Sequence, residues 1–384
     1  MTDVVIAGIG QTPVGEHWEL SLRSLAAKAI QAARKEAPDL KPQAMYIGNL
    51  LAPVVSHQSN LGALLVEDVA LDGIEAFTIE AAEASGAGAF HMGYLAVASG
   101  FVDVALVVGV EKITDLVGPE LETAISQVTD YDFEATQGAT PTALAGLLMQ
   151  RYLHEYQPHR PALGAFPLLA HANAVNNPFA MFRRAVRQET YQQAGMVCDP
   201  LNLYDVAPYA DGAAAVILAR SDLLPGDFPF PRVRVTGSAV AIDTLALHDR
   251  HDPLAFRAAA ISVERASRQA GILPRDVDLF ELSDAYSIYT VLSLEAAGFA
   301  RRGEGWKLGQ DGMLSLKGKL PITTLGGLKG RGNPLGATGV YQIVEATQQL
   351  RGQAGANQVP AARRALVQSL GGPASTAITH VLSI

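Results

Sequence analysis

The chain has 384 residues, 49% of them hydrophobic and 17% charged, with 36 Gly, 21 Pro and one Cys. That length exceeds one ordinary core and points to two domains or one large duplicated α/β unit, and the apolar share excludes disorder. A net charge of -9 argues against a nucleic-acid binder, and one thiol excludes an internal disulfide and a cysteine-built zinc site, so a reducing, cytoplasmic setting and no metal are expected.

The segment Met1-Thr2-Asp3-Val4-Val5-Ile6 lacks the basic start and apolar core of a signal peptide and reads as a strand that begins at once. Val4 to Ala7 then runs into Gly8-Ile9-Gly10, predicted as a tight turn after the strand. Thr12-Pro13-Val14-Gly15 intervenes where a third fingerprint glycine would stand, which argues against a nicotinamide site. Helical spacing of Leu22, Leu25, Ala26, Ala29, Ile30 and Ala33 predicts a helix over Leu20 to Ala37. Strands follow over Ala44 to Leu50 and Ala76 to Glu80, then a small-residue helix over Ser85 to Ser99 and a buried strand over Val102 to Gly109. The most apolar stretch, Val102 to Val110, contains Asp103 and is far short of the roughly 20 residues of a membrane span. This strand-helix alternation predicts a mostly parallel sheet covered on both faces.

From Asp115 to about Pro200 polar helical pieces, Pro and aromatic residues replace that rhythm, as an insertion lying over the sheet would. Tyr204 to Ala219 restores the strand pattern around Asp211-Gly212, a hairpin-type turn signal. A second α/β pass follows: strand Val233 to Val240, helix Ala255 to Gly271, strand Val277 to Leu282, helix Ser283 to Ala297, helix Gly336 to Leu350, and a hairpin over Ala365 to Leu382 that turns at Gly371-Gly372. The two passes read as copies of one β/α unit. The expected division is residues 1–114 with 201–224 as the first half, 115–200 as the insertion, and 225–384 as the second half.

Six segments in order resemble the thiolases. They are Glu80-Ala81-Ala82-Glu83-Ala84-Ser85-Gly86, Leu95-Ala96-Val97-Ala98-Ser99-Gly100, Val107-Val108-Gly109-Val110-Glu111-Lys112, Asn177-Pro178-Phe179-Ala180, Asp211-Gly212-Ala213-Ala214-Ala215 and Gly332-Asn333-Pro334-Leu335-Gly336-Ala337-Thr338-Gly339. The likeness covers essentially the whole chain and is nearest in flavour to the lipid-transfer and sterol-carrier-associated thiolases. It implies the duplicated thiolase fold, two β/α halves in an α-β-α-β-α layering, as a homodimer. It also implies a coenzyme A thioester as substrate or ligand with no resident cofactor, and a small OB-fold subunit that handles acyl-CoA as a partner.

Family chemistry uses a cysteine nucleophile, an activating Gly-His-Pro histidine, a second cysteine for proton transfer, and two oxyanion holes, one of them built from backbone N–H groups. This sequence departs at each side chain. Glu83 stands at the nucleophile and Asn333 at the histidine; Ser283-Asp284-Ala285-Tyr286 replaces His-Asp-Cys-Phe or Asn-Glu-Ala-Phe, and the C-terminal loop through Gly371-Gly372-Pro373 has no cysteine. The thiol, Cys198, is placed in the site by no motif. A carboxylate attacking a thioester would form a mixed anhydride, uphill from a new thioester. The missing histidine removes general-base help worth about 10² to 10⁴-fold.

Each candidate has two readings. Glu83 either locks the turn at a helix N-terminus or acts as a base or a mimic of the acylated state. Asn333 and Ser283 either hold a thioester oxyanion or satisfy buried backbone; Tyr286 offers a phenolic proton or packs, and Asp284 braces a helix. The Gly372 loop supplies backbone N–H groups. Arg183, Arg184 and Arg187 either meet a nucleotide phosphate or form a solvated face, with Lys329 and Arg331 as further cations. His171, Asn173, Asn176 and Asn177 either precede a substrate-lining segment or cap a loop. Asp211, Gly212 and Gly336 lie in segments that line the family's pantetheine tunnel. The sequence reading is an acyl-CoA-binding protein without ordinary Claisen or thiolysis activity. The alternatives are a carbon-carbon lyase acting by retro-aldol cleavage or decarboxylation, or an active acetyl-CoA acyltransferase.

Overall fold

Val4–Gln11 (β1) is buried along almost its whole length, as a β-branched run covered on both faces should be. The computed structural model describes residues 3–384; Met1 and Thr2, expected to open this strand, lie outside the described residues. Gly8 and Gly10 do not form the predicted turn but sit within β1. A Cβ at Gly8 would stand 2.3 Å from the Ala33 carbonyl oxygen, and one at Gly10 2.3 Å from that of Ala29. The glycines therefore serve to seat the helix Leu22–Glu36 on the strand. That helix is capped by the Ser21 hydroxyl, which accepts the Ser24 N–H, and buries the six apolar positions its spacing predicted.

The other strands are Ala44–Gly48 (β2), Glu75–Ile79 (β3), Val104–Glu111 (β4), Met196–Cys198 (β5), Leu201–Asn202 (β6), Gly212–Arg220 (β7), Val233–Ile242 (β8), Leu279–Glu281 (β9), Arg364–Gly371 (β10) and Thr376–Ser383 (β11). Among the described residues nine of the eleven strands, β1 included, form one sheet in the order β3-β2-β4-β7-β1-β8-β11-β10-β9, while β5 and β6 pair separately. The sheet is mixed rather than mostly parallel. β2 runs parallel to β3 and β4, and β9 parallel to β10, but β7 returns antiparallel between β4 and β1, and β11 between β10 and β8.

The duplication is visible in this order. Counted within each half, the first half runs third, second, fourth, fifth, first strand. The second half repeats this, with the segment at Ile322 bridging Phe280 in the third place. The halves join edge to edge through Val5 opposite Arg234 and Ile6 opposite Val233. The helices Ser85–Ala98 and Thr338–Leu350 pack on each other and on strands of both halves, so they form the middle layer, with Leu22–Glu36 and Arg257–Ala270 as outer layers.

Two expectations need correction. Asp211-Gly212 is not a hairpin turn. Tyr204–Ala210 is not a paired strand, and Asp211 sits at the entry to β7. The true counterpart of the β10–β11 hairpin is the β4–β7 pair, whose connection has grown into residues 112–211. Nor does this insertion simply cover the first half's sheet. Its helix Pro141–Tyr156 puts Leu148 and Tyr152 in one apolar cluster with Phe256, Phe280 and Tyr289 of the second half.

Candidate functional site

Ala82 has φ +52°, a left-handed conformation costly for a residue with a Cβ. The Ser85 hydroxyl holds the turn, accepting the Ala81 N–H at 2.9 Å and donating to the Ala82 carbonyl at 2.5 Å. The sharp bend presents Glu83 just before the helix Ser85–Ala98. Across the molecule, β10 ends at Gly371, and a Cβ there would stand 2.3 Å from the Ala81 oxygen. That close approach brings the Gly372 N–H to Glu83 Oε2 at 2.7 Å. A backbone N–H held against a carboxylate in this way is the kind of donor an oxyanion hole uses, here occupied by a side chain of the protein itself. Burial nonetheless dominates and pushes the Glu83 carboxyl up to about 7, with the charge of Glu80 adding to the rise.

Asn333 is buried against the segment that carries Tyr209. Its backbone N–H donates to the Pro208 carbonyl at 2.9 Å and its carbonyl accepts from Ala210, which pins it to the 208–210 segment. Its Oδ1 accepts the Leu335 N–H at 3.2 Å and the Thr338 hydroxyl at 3.1 Å, so the amide oxygen is directed to the following helix start. Ser283 is bound to β10: its hydroxyl accepts the Leu370 N–H at 3.0 Å and faces the Gln368 carbonyl at 3.5 Å. Asp284 braces the turn at Gly327, accepting the Leu328 N–H at 2.6 Å.

Three phenols complete the floor. The Tyr286 hydroxyl meets Thr142 at 3.2 Å and interacts with Tyr209, and its ring packs edge-on against Tyr289 at 4.9 Å. Burial raises the pKa of all three well above the usual phenol value, and the Glu83 charge adds to the rise in each. They are therefore protonated at neutral pH. Tyr209 and Thr142 are not singled out by any sequence motif; Tyr209 is recognisable only because it precedes Asp211-Gly212 in an otherwise apolar run.

A cavity of about 550 Å³ reaches this region at Tyr209 and Thr142; Glu83, Tyr286 and Tyr289 are not part of its lining. Thr142, Tyr209, Tyr204, His171, Lys329 and Arg184 line it, with apolar walls from Phe182, Val186 and Val206. Of the three arginines, Arg184 lines the cavity, whereas Arg183 and Arg187 are exposed and not part of its lining. In the segments expected to line a tunnel, the polar side chains hold the framework together. Asp211 is fully buried and accepts from His17, Ile113 and Thr114 backbone N–H groups, the Thr114 hydroxyl and the Lys112 ammonium. Asn177 spans Leu325 and Phe179, and Asn173 spans Ile322 and Thr323. Gly212 and Gly336 make room for the Tyr341 hydroxyl and the Glu111 carboxylate respectively. Arg331 is buried against Glu345 at 2.6 Å and does not line the cavity, and Cys198 lies in β5.

A thiolase N-terminal domain model matches residues 4–222, and a thiolase C-terminal domain-like model matches residues 239–384. The chain belongs to the thiolase family. It is 40% identical to an acetyl-CoA acetyltransferase of Methanothermobacter thermautotrophicus, with all of both chains covered. It is 31% identical to the benzoylsuccinyl-CoA thiolase subunit of Thauera aromatica over 96% of this chain and 94% of that one. Sterol carrier protein 2 of Gallus gallus is 28% identical, matched over 96% of this thiolase chain and 69% of its own length. Among solved structures, the Ltp2-ChsH2(DUF35) aldolase superposes with a TM-score of 0.86 at 23% identity, covering 99% of this chain and 97% of that one, which establishes the shared fold. The thiolase fold described above, and an acyl-CoA acyltransferase-like family membership, are thus secure. Among the described residues no helix is long and apolar enough to cross a membrane.

Proposed function

We propose that this thiolase-family chain binds acyl-CoA in the cavity lined by Thr142, Tyr209 and Arg184 and does not perform Claisen condensation or thiolysis. The observation that carries this reading is the 2.7 Å hydrogen bond from Gly372 to Glu83. The Gly372 N–H, a donor that could stabilise an acyl oxyanion, is already occupied by a carboxylate. A carboxylate is a poor acceptor for an acyl group that leaves a thioester, and Asn333 has no basic nitrogen to activate a thiol. Acetoacetyl-CoA and CoA incubated with the protein should give no thiolysis above the rate of a Glu83→Ala variant. A wild-type rate well above that variant would instead support the acetyltransferase activity in the name of the 40% identical relative.

A second reading is favoured by the floor itself. A carboxyl raised to about 7 beside protonated Tyr209, Tyr286 and Tyr289 suits proton transfer near neutrality. In a retro-aldol cleavage a base takes the β-hydroxyl proton, the Cα–Cβ bond breaks, and its electron pair forms a thioester enolate that a phenol reprotonates. Release of an aldehyde or ketone from a β-hydroxyacyl-CoA, abolished in Glu83→Gln, would establish it over simple binding. A small OB-fold partner subunit is proposed on a narrower footing. One fold neighbour is the Ltp2-ChsH2(DUF35) aldolase, and one relative is a thiolase subunit.

A further inference from the structure

Thr142, Tyr209 and Tyr286 come from three separate parts of the chain and meet at one end of the cavity. Thr142 opens the helix Pro141–Tyr156 of the insertion, Tyr209 stands just before β7, and Tyr286 just before the helix Ser287–Ala296. Backbone contacts fix the two phenols against each other. Val206 bridges Tyr286, the Ala207 N–H donates to the Ala285 carbonyl at 2.8 Å, and the Asn333 backbone grips Pro208 and Ala210 on either side of Tyr209. Thr142 and Tyr209 line the cavity, while Tyr286 is 6% exposed and outside the lining.

The Tyr286 hydroxyl meets that of Thr142 at 3.2 Å, with either oxygen able to donate, and the Tyr209 phenol lies close enough to bear on its ionisation. Burial raises both phenols above the usual value, and the charge of Glu122 on the cavity wall adds to the rise, so both keep their protons at neutral pH. Among the described residues the three hydroxyls hydrogen-bond to no carbonyl, carboxylate or amide. Three hydroxyls carry three protons, and a chain of three uses at most two of them. Tyr286 is shut off from the cavity, so its proton goes to a neighbour. The spare O–H is then left at Thr142 or Tyr209, on the cavity wall.

The rest of that wall is largely apolar, with Phe182, Val186, Val197 and Leu203. An unsubstituted acyl chain seated there would strip water from the two wall hydroxyls and replace none of its hydrogen bonds. A ligand carbonyl would accept the spare proton and give nothing back. A ligand hydroxyl does both: it accepts from one wall hydroxyl and donates to the other, completing the chain.

We infer that Thr142, Tyr209 and Tyr286 form a subsite for a neutral hydroxyl group, so that the CoA thioesters this chain selects are hydroxyacyl rather than unsubstituted acyl esters. The inference rests on the acyl-CoA reading and specifies its ligand. It does not depend on what Glu83 does.

Calorimetry at pH 7 with butanoyl-CoA, 2-hydroxybutanoyl-CoA and 3-hydroxybutanoyl-CoA tests it on the wild-type protein. One of the hydroxy esters should bind about tenfold more tightly than butanoyl-CoA, the usual net worth of two hydrogen bonds. Tyr209→Phe and Thr142→Val, each close to the parent side chain in shape, should bring that ratio of affinities down by about threefold or more. Equal binding of all three esters by the wild type overturns the subsite and leaves acyl-CoA binding intact. A hydroxyl preference that stays unchanged in both variants also overturns it, because the hydroxyl would then be held elsewhere. Absence of binding by every ester at millimolar concentration overturns the acyl-CoA reading and the subsite together.

Discussion

Glu83 is drawn two ways, by the Gly372 N–H that favours its anion and by burial that opposes it, and burial wins. A carboxyl raised from 4.5 to about 7 binds more protons folded than unfolded between those values. Its contribution to stability is therefore fully present below about pH 4.5 and is lost as pH rises through 7, by at most about 1.4 kcal/mol per pH unit. Glu111, raised to about 7, and Glu345, raised to about 8, push the same way, so the share of Glu83 is read as a difference. Denaturant titrations from pH 5 to 8 should show Glu83→Gln gaining stability relative to wild type as pH rises; a constant difference would contradict the burial of this carboxyl. The chemistry follows from the same residue. Glu83→Cys alone should leave thiolysis near background, and adding Asn333→His should raise it by roughly 10² to 10⁴-fold, the usual worth of a general base, measured as acetoacetyl-CoA loss.

Two elements carry consequences of their own. The middle-layer helices cross so closely that a Cβ at Gly339 would stand 2.3 Å from the Ala87 backbone nitrogen. Gly339→Ala should cost roughly 1 to 3 kcal/mol, as overpacking in a close-packed interior does, visible as a lower denaturation midpoint. The strand β3 ends the sheet, paired on one side only to β2, with Phe77 57% exposed. Beside it the helix Ser85–Ala98 exposes Met92 and Leu95. An unpaired apolar edge of this kind invites a strand from another copy. The expected species is a homodimer of two 40.5 kDa chains by light scattering, and Phe77→Lys should shift it toward monomer. A wild-type monomer at micromolar concentration would rule the dimer out.

At the scale of the whole molecule the two halves are repeats that do not own separate cores. The helix Ser85–Ala98 belongs to the first half in sequence, yet Ala84 and Ala87 at its start pack on Ile378 of the second. The insertion from the first half is cored with the second through Leu148, Tyr152 and Phe166. Residues 1–222 expressed alone should therefore expose the inner face of that helix and fail to give a cooperative thermal transition, whereas the whole chain should unfold in one step by circular dichroism. Two separate transitions in the whole chain would show the halves to be independent.

Local patterns in the sequence were enough for most elements. Buried runs such as Val104–Glu111 and the amphipathic spacing of Leu22–Glu36 depend on residues within a few positions of one another, and they read correctly. The motifs likewise place Glu83 and Asn333 where the resemblance implies a cysteine and a histidine. Gly8-Ile9-Gly10 and Asp211-Gly212 were misread because local turn chemistry cannot tell a glycine that bends the chain from one that admits a helix, or an aspartate that starts a turn from one that gathers distant donors. What Glu83 does was decided by tertiary structure alone: its partner Gly372 is 289 residues away and arrives only because Gly371 lets the β10 loop touch Ala81.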